Sequence, residues 1–462
     1  QFWCFSPKNL QIEPLMKPRK SGKTPQDQLF RVRLIDIVNE DHELVKLAKV
    51  IDWESLDLAV ASHFSVEGAP ALPSRLVLGL MYLQHLHKLS DEAVLYRFVE
   101  SPYYQYFCGC EFFEHEVPFH PTSLIKWRKR IGEAGCEELL AATIDAALRL
   151  KVIKPSSLER VVVDSTVQEK NITHPTDSKL YEKARRQLVV IAHRHGIVLR
   201  QTYDKDCRYL APQIGRYAHA KQFKRMRKAL KKLKGCLGRV YRDLDRQAQA
   251  QSIQLTEKEQ HILKLADRLL KQEIRSKNKI YSLHEPMVDC ISKGKAHKRY
   301  EFGCKVSIAT TAKEAFIVGA RSYNGAPYDG HTLEDQLNQV FALTNTQPAT
   351  CYVDRGYRGH GVETTRVVIA GQRRGLTRLD KRLLKRRNSV EPVIGHLKAE
   401  GKLGRCFLKG TQGDALNALL SACSQNLRRL LRWLYFAPKK WQKPCCEGSF
   451  GCYQRWIMTR PS

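Results

Sequence analysis

The chain has 462 residues, and 78 Lys and Arg against 47 Asp and Glu leave a net charge of +31. At ~100–200 residues per domain, this length predicts about two to four domains. An apolar share of 43% excludes collagen-like, low-complexity and wholly disordered chains. A cation surplus on this scale calls for a polyanionic partner, nucleic acid before any other; the plainer reading is a basic soluble protein. The longest apolar stretches are broken by Arg, Lys or Asp before the roughly 18 residues of a membrane helix. Gln1-Phe2-Trp3-Cys4 does not open a signal peptide. The expected location is cytoplasmic, with no membrane partner. The 14 Cys are scattered without paired CxxC motifs, so reduced thiols are expected. Cys445, Cys446 and Cys452 cluster near the C-terminus without accompanying His, a weak basis for a zinc site.

In chain order, residues 1–29 read as a basic, flexible leader. From 30 to 150 the periodicity is helical. Leu76 to Leu86 form one apolar helix, and Ser90 is placed to cap the next, with Asp91 and Glu92 in its first turn. Pro102 to Tyr106 reads as an aromatic turn. The segment after it carries Lys126, Arg128, Lys129 and Arg130 around Trp127. Short helices of this kind fit a helix-turn-helix that docks on DNA and a plain bundle with a solvated basic face equally well.

At Val161-Val162-Val163-Asp164 the pattern changes to a buried strand ending in a carboxylate. A very basic helical region is expected from 205 to 285. Its densest part, Lys221 to Lys234, includes Lys221, Lys224, Arg225, Arg227 and Lys228 and has eight cations and no acid in fourteen residues. Like charges at i,i+4 repel, which favours a phosphate-tracking surface over an ordinary solvated face. Strands are expected at 302–310, 315–321, 350–353 and 367–370, with a helix over 332–343. Thr350-Cys351-Tyr352-Val353 again runs straight into an acid, Asp354. Ala415 to Phe436 carries a leucine stripe at helical spacing, that of a core or dimer helix.

Three acids stand out: Asp164 and Asp354 at strand ends, and Glu391 at a helix start where Ser389 would be the N-cap. Glu391 and Lys398 share a helix face, with Arg387 just upstream. Strand-end acids are often mere caps or turn formers. Gathered on one sheet, three carboxylates would make a hard-oxygen cage for Mg²⁺ or Mn²⁺, and two such ions suit phosphodiester chemistry.

The strings VVVDSTV, YNGAPYDGHTL, YVDRGYRG, VEPVIGHLK and LKGTQGDALNALLSACSQNLRRLLRWL resemble the DDE transposases of bacterial insertion sequences, specifically the insertion-sequence-five group. The resemblance runs from about residue 30 to 436. It implies an α/β fold: a ribonuclease-H-like mixed five-stranded sheet with flanking helices, plus an all-helical N-terminal domain and a helical basic insertion. The implied domains are a DNA-binding and dimerisation region at 30–150, a catalytic domain at 151–436 with its insertion at 205–285, and a tail at 437–462 that matches nothing in the family.

The resemblance also implies that Asp164, Asp354 and Glu391 are the catalytic, metal-binding acids for two Mg²⁺, with Mn²⁺ substituting. Arg387 and Lys398 fall on the family's Tyr-Arg-Glu-Lys signature and would contact DNA. Its Tyr falls at Leu384, a departure. Implied partners are terminal inverted repeats and target DNA, held by at least a homodimer. The expected reaction is metal-dependent cleavage at the element's ends and strand transfer into target DNA. The competing readings are a two-metal nuclease without strand transfer and a DNA-binding protein that has lost catalysis.

Overall fold

The computed structural model describes residues 31–63, 72–273, 275–292 and 299–436. The leader 1–29 and the tail 437–462, with Cys445, Cys446 and Cys452, lie outside the described residues. Short helices come first: α1 (Leu34–Ile37), α2 (Glu43–Val50), α3 (Trp53–Ala61), α4 (Ser74–Leu86), α5 (Asp91–Glu100) and α6 (Pro102–Phe107). The long α7 (Thr122–Arg149) and short α8 (Pro155–Leu158) lead into β1 (Arg160–Lys170). Next come α9 (Asp177–Arg194), α10 (Asp204–His219), α11 (Phe223–Ala250) and α12 (Glu257–Lys271). The rest is β2 (Asp289–Ser292), β3 (Tyr300–Thr311), β4 (Ile317–Tyr323), α13 (Asp329–Thr344), β5 (Thr350–Val353), β6 (Arg366–Ile369), α14 (Arg378–Arg386), α15 (Val390–Ala399), β7 (Arg405–Cys406) and α16 (Gly410–Phe436). The chain divides into two compact units. One takes the described parts of Gln1–Arg130, Ala141–Lys154 and Cys423–Ser462, and the other takes those of Ile131–Leu140 and Pro155–Ala422.

The first unit is helical. Leu76, Val77, Leu78, Leu80, Met81, Tyr82 and Leu83 are all buried, so α4 is enclosed on every side, as an apolar helix without a polar face must be. Ser90 caps α5 by accepting from the Ala93 N–H at 3.1 Å, with Asp91 and Glu92 in the first turn as expected. The aromatic stretch expected to be a turn is the helix α6. Pro102 fits the first turn, where its missing N–H costs nothing, and Ser101 accepts from the Tyr104 N–H. Within this unit the end of α16 is held by polar bonds: Asn426 Nδ2 donates to Thr143 Oγ1 at 3.0 Å, and Arg428 to the Leu86 carbonyl at 2.7 Å.

The second unit contains a seven-stranded sheet, not the expected five-stranded one. β3 pairs antiparallel with both β1 and β4, while β5 runs parallel to β1, and β6 parallel to β5. The two extra strands are short. β2 has four residues and pairs with β3; β7 has two and pairs with the end of β1. The distal end of β1 is fixed to the first turns of α16. Buried Lys170 bonds Asp414 at 2.7 Å, and Gln168 receives a bond from Asn417 at 2.9 Å.

The helices between β1 and β2 build a core of their own from Leu180, Leu188, Leu210, Leu233, Leu237, Leu244 and Leu269, among others. This helical layer begins at Asp177, earlier than the expected 205, because α9 supplies part of the same core. On α11, Met226, Ala229, Leu230, Leu233, Cys236, Leu237 and Val240 recur at steps of 3 and 4 and face that core. The opposite face carries the cations.

Candidate active site

β1 and β5 position the first two acids. Their parallel register pairs Arg160 with Thr350, Val161 with Cys351 and Val162 with Tyr352. Continuing two residues on each strand leads to Asp164 and Asp354, at matched heights on neighbouring strands. Alternation puts both side chains on the face that carries Val162 and Tyr352. Those two belong to a buried cluster with Val368, Leu383 and Val390, against which Leu379, Leu384 and Ile394 also pack. Val390 thus seats α15 on the acid-bearing face, and Glu391 is the next residue, in the helix's first turn. Leu384, at the position of the family's Tyr, serves that packing.

Local bonds fix the two aspartates. Asp164 Oδ1 accepts from the Ser165 N–H at 2.8 Å, and its Oδ2 lies 3.7 Å from Arg387 Nη1. Asp354 caps a 3₁₀ turn over Arg355–Tyr357, accepting from the Gly356 N–H at 2.8 Å. Asp354 has no ion pair among the described residues. Glu391 is exposed on its helix. Ser389 does not cap α15 as expected: its backbone is already helical, and its side chain makes no capping bond. The chain arrives there from α14 through a 3₁₀ turn over Arg387–Ser389. The cap lies upstream, where Thr377 and Asp380 form a reciprocal capping box on α14.

Two residues outside the expected set join this site. Asp329, at the start of α13, stands beside Asp354. A Cβ on Gly356 would lie 3.0 Å from Asp354 Oδ1 and 3.5 Å from Asp329 Oδ2, so both carboxylates approach this glycine and a side chain there would crowd them. Lys305 Nζ lies 3.2 Å from Asp329 Oδ1 and also bonds the Pro327 carbonyl. Tyr357 is 1% exposed. Burial above all, then the charges of Asp329, Asp164 and Asp354, push its phenol well above the usual tyrosine range. The signals were present, in YDGHTL and DRGY, but nothing local indicated that they converge.

The donor set is of the type a hard divalent cation takes, carboxylate oxygens, two of which approach the same glycine. The fit is made by the aspartates. Among the described residues no group of three or more His, Cys, Asp or Glu is close enough together to hold a metal ion, so neither Asp329 nor Glu391 completes a ligand set with Asp164 and Asp354.

The basic residues separate into two kinds. Lys221, Lys224, Arg225, Arg227 and Lys228 are all exposed, on or just before α11, and none has an ion pair among the described residues. Lys126 and Arg130 are also exposed. Arg128 is a correction. It is 4% exposed, donates to both oxygens of Asp91 at 2.9 and 2.5 Å, and reaches Gln84 at 3.2 Å. Its guanidinium is committed to the first unit's interior, so it is withdrawn from the expected DNA contacts. Trp127, its neighbour, is buried as well. Lys398 is half-buried in the last turn of α15.

Comparison with known proteins identifies the family. Residues 32–130 match the family described as Transposase domain (DUF772), and residues 290–427 match the Transposase DDE domain. The chain belongs to the insertion-sequence DDE transposases. The transposase is also 50% identical over 208 residues to "Uncharacterized protein ORF8 in nfe locus" of Rhizobium meliloti, an alignment covering 45% of this chain and 100% of that protein. No solved structure matches the transposase. The DDE match contains Asp354 and Glu391 but starts beyond Asp164 and the helical layer, so Asp164 rests on the strand register. A DDE domain implies a ribonuclease-H-like fold, and the mixed sheet with its helices accords with that. Transposases of this family act on DNA and typically use divalent metal ions. No described helix is long and apolar enough to cross a membrane.

Proposed function

We propose that this transposase, of the insertion-sequence-five group, cuts DNA at the ends of its element and joins the freed ends to target DNA. The supporting observation is the matched register that sets Asp164 and Asp354 at the same height at the ends of β1 and β5, on the face against which Val390, the neighbour of Glu391, packs.

Asp164, Asp354 and Glu391 would hold two Mg²⁺, for which Mn²⁺ substitutes. When bound, these cations supply Lewis-acid activation of the attacking oxygen and charge stabilisation at the leaving oxygen. The chain's own residues position the substrate. Arg387, 3.7 Å from Asp164, offers its remaining guanidinium donors to a phosphate entering beside that acid. Lys398, on the same helix as Glu391, is assigned a phosphate contact further along the strand. In the first step water attacks a phosphodiester, the P–O bond to the 3′ oxygen breaks, and that oxygen leaves as a 3′-OH. In the second, the 3′-OH oxygen attacks a target phosphorus, loses its proton to solvent, and displaces the target's own 3′ oxygen. One phosphodiester is exchanged for another, so the joining step needs no energy source.

Terminal repeats would be recognised by the helical region 30–150, using Lys126 and Arg130. The 205–285 layer would add sequence-independent phosphate contacts through Lys221, Lys224, Arg225, Arg227 and Lys228. At least a homodimer is proposed, because two DNA ends must be held together. The test is a strand-transfer assay with a linear donor carrying pre-cleaved 3′ ends. Joined product is expected with wild type and none with Asp354→Ala, while both bind DNA equally in chelator. Cleavage without joining would make the protein a nuclease; binding without either by wild type would make it a DNA-binding protein that has lost catalysis.

A further inference from the structure

The Tyr357 hydroxyl is fully enclosed, yet it has no hydrogen-bond partner among the described residues. A buried hydroxyl without a partner costs stability, so each such group needs an explanation. The surroundings supply one. Two nearby acceptors are engaged, Asp354 Oδ1 by the Gly356 N–H and Asp164 Oδ1 by the Ser165 N–H, while Asp329 Oδ1, 3.2 Å from the Lys305 ammonium, is buried without a hydrogen-bond partner among the described residues. The phenol sits in the field of all three carboxylates and stays protonated, so it can only be a donor there. A buried donor and a buried acceptor, both without a hydrogen-bond partner at one site, are placed for an oxygen that arrives from outside.

We propose that Tyr357 is a positioning residue of the acid centre, its hydroxyl donating to an oxygen brought in by the substrate phosphodiester or by the water shell of a bound cation. The proposal rests on reading Asp164 and Asp354 as that centre.

Tyr357→Phe tests it, because removing a hydroxyl that only lacks a partner and removing one that serves an incoming ligand have different consequences. The melting temperature of the metal-free variant is expected to equal or exceed that of wild type, since no protein bond is lost. Cleavage is expected to fall by about 10²-fold in kcat, the scale of one preorganised donor. Mn²⁺ titration without DNA, followed by calorimetry, separates the two sources. Weakened Mn²⁺ binding assigns the hydroxyl to the cation's water shell; unchanged Mn²⁺ binding with lost kcat assigns it to the phosphodiester. Unchanged Mn²⁺ affinity together with unchanged kcat overturns the proposal. Asp354→Asn run in parallel keeps the two readings apart. If that variant still cleaves, the acid centre is misplaced; if it is dead while Tyr357→Phe is fully active, only the role of Tyr357 is lost.

A second observation stands independently. Arg378, Lys381, Arg382, Lys385 and Arg386 are exposed on α14, and none has an ion pair among the described residues. The helix's acid, Asp380, is turned inward to Tyr352 Oη at 2.8 Å and Arg366 at 2.9 Å, so it cannot neutralise them. Leu383 buries the opposite face in the cluster under the acid-bearing strands, and the helix ends at Arg387, beside Asp164. We infer that this face tracks the backbone of duplex DNA leading into the acid centre. The triple variant R382Q/K385Q/R386Q, measured by fluorescence anisotropy in chelator, tests this without reference to catalysis. On duplexes with and without the element's end, log affinity against log salt should flatten by about 2.7, at ~0.9 per lost contact. An unchanged slope on both duplexes, with melting temperature intact, would sink it.

Discussion

Glu259, on α12, and Asp354, after β5, are both acids of the larger unit, yet their surroundings differ. Glu259 is 2% exposed and accepts from Arg194 at 2.6 Å, His195 at 3.0 Å and the Thr256 N–H at 3.0 Å. The His195 bond leads the effects that hold its carboxyl down to about 2. Asp354 receives a backbone N–H, shares the neighbourhood of Gly356 with the carboxylate of Asp329, and has no ion pair among the described residues. Protein cations satisfy the charge of Glu259, whereas Arg387 and Lys305 pair with Asp164 and Asp329 and leave Asp354 without an ion pair among the described residues. An acid matched by the protein contributes to folding. One placed beside another acid costs stability and is explained by what it binds.

The largest effects should break this comparison at the strand ends. Asp354→Asn is expected to lower metal-dependent cleavage by more than ~10³-fold, while leaving the melting temperature unchanged or raised, since the charge removed has no ion-pair partner among the described residues. Glu391→Gln should match that loss of cleavage with no change in melting temperature, because its side chain is exposed. A lowered melting temperature in either would mean that the acid is structural.

Glu259→Gln should do the reverse. Removing the charge leaves Arg194 and His195 without their partner, at a cost of roughly 1–3 kcal/mol, moderated because Arg194 is largely exposed. Once folded, the variant should cleave like wild type. The pH dependence follows from the same carboxyl. Its ordinary value is 4.5 and its folded value about 2, a depression. The stability it contributes is therefore full above about 4.5 and is lost as pH falls toward 2. The gap in melting temperature between wild type and Glu259→Gln should be constant from neutral pH to about 5 and close below that. A gap that widens on acidification would reverse the assignment.

What was legible in the sequence was local. Three valines running into Asp164, and a four-residue strand running into Asp354, state their pattern within a few residues. So does the Met226-to-Val240 spacing on α11. What was not legible depended on distant chain. Whether Ser389 caps a helix depends on the direction from which the chain arrives, and here it arrives already helical from α14. β7 is two residues, Arg405 and Cys406, too short for a period and visible only through its pairing with β1. Asp329 reads as an ordinary first-turn acid and Tyr357 as a loop aromatic. Their meeting with Asp354 exists only because β1, β5 and α13 converge.

The smallest effect concerns Lys126 and Arg128, two residues apart in one basic run and indistinguishable by composition. Lys126 is exposed, while Arg128 holds Asp91 and Gln84 inside the first unit. If exposure decides which cation meets DNA, Lys126→Gln should leave the melting temperature unchanged and reduce the salt slope of DNA binding by about 0.9. Arg128→Gln should lower the melting temperature, because it removes the guanidinium that neutralises the half-buried Asp91. It should also leave the salt slope of the folded fraction unchanged. A slope change in Arg128→Gln without loss of stability would mean that the guanidinium leaves Asp91 to reach phosphate, and that charge in this segment counts regardless of where the fold puts it.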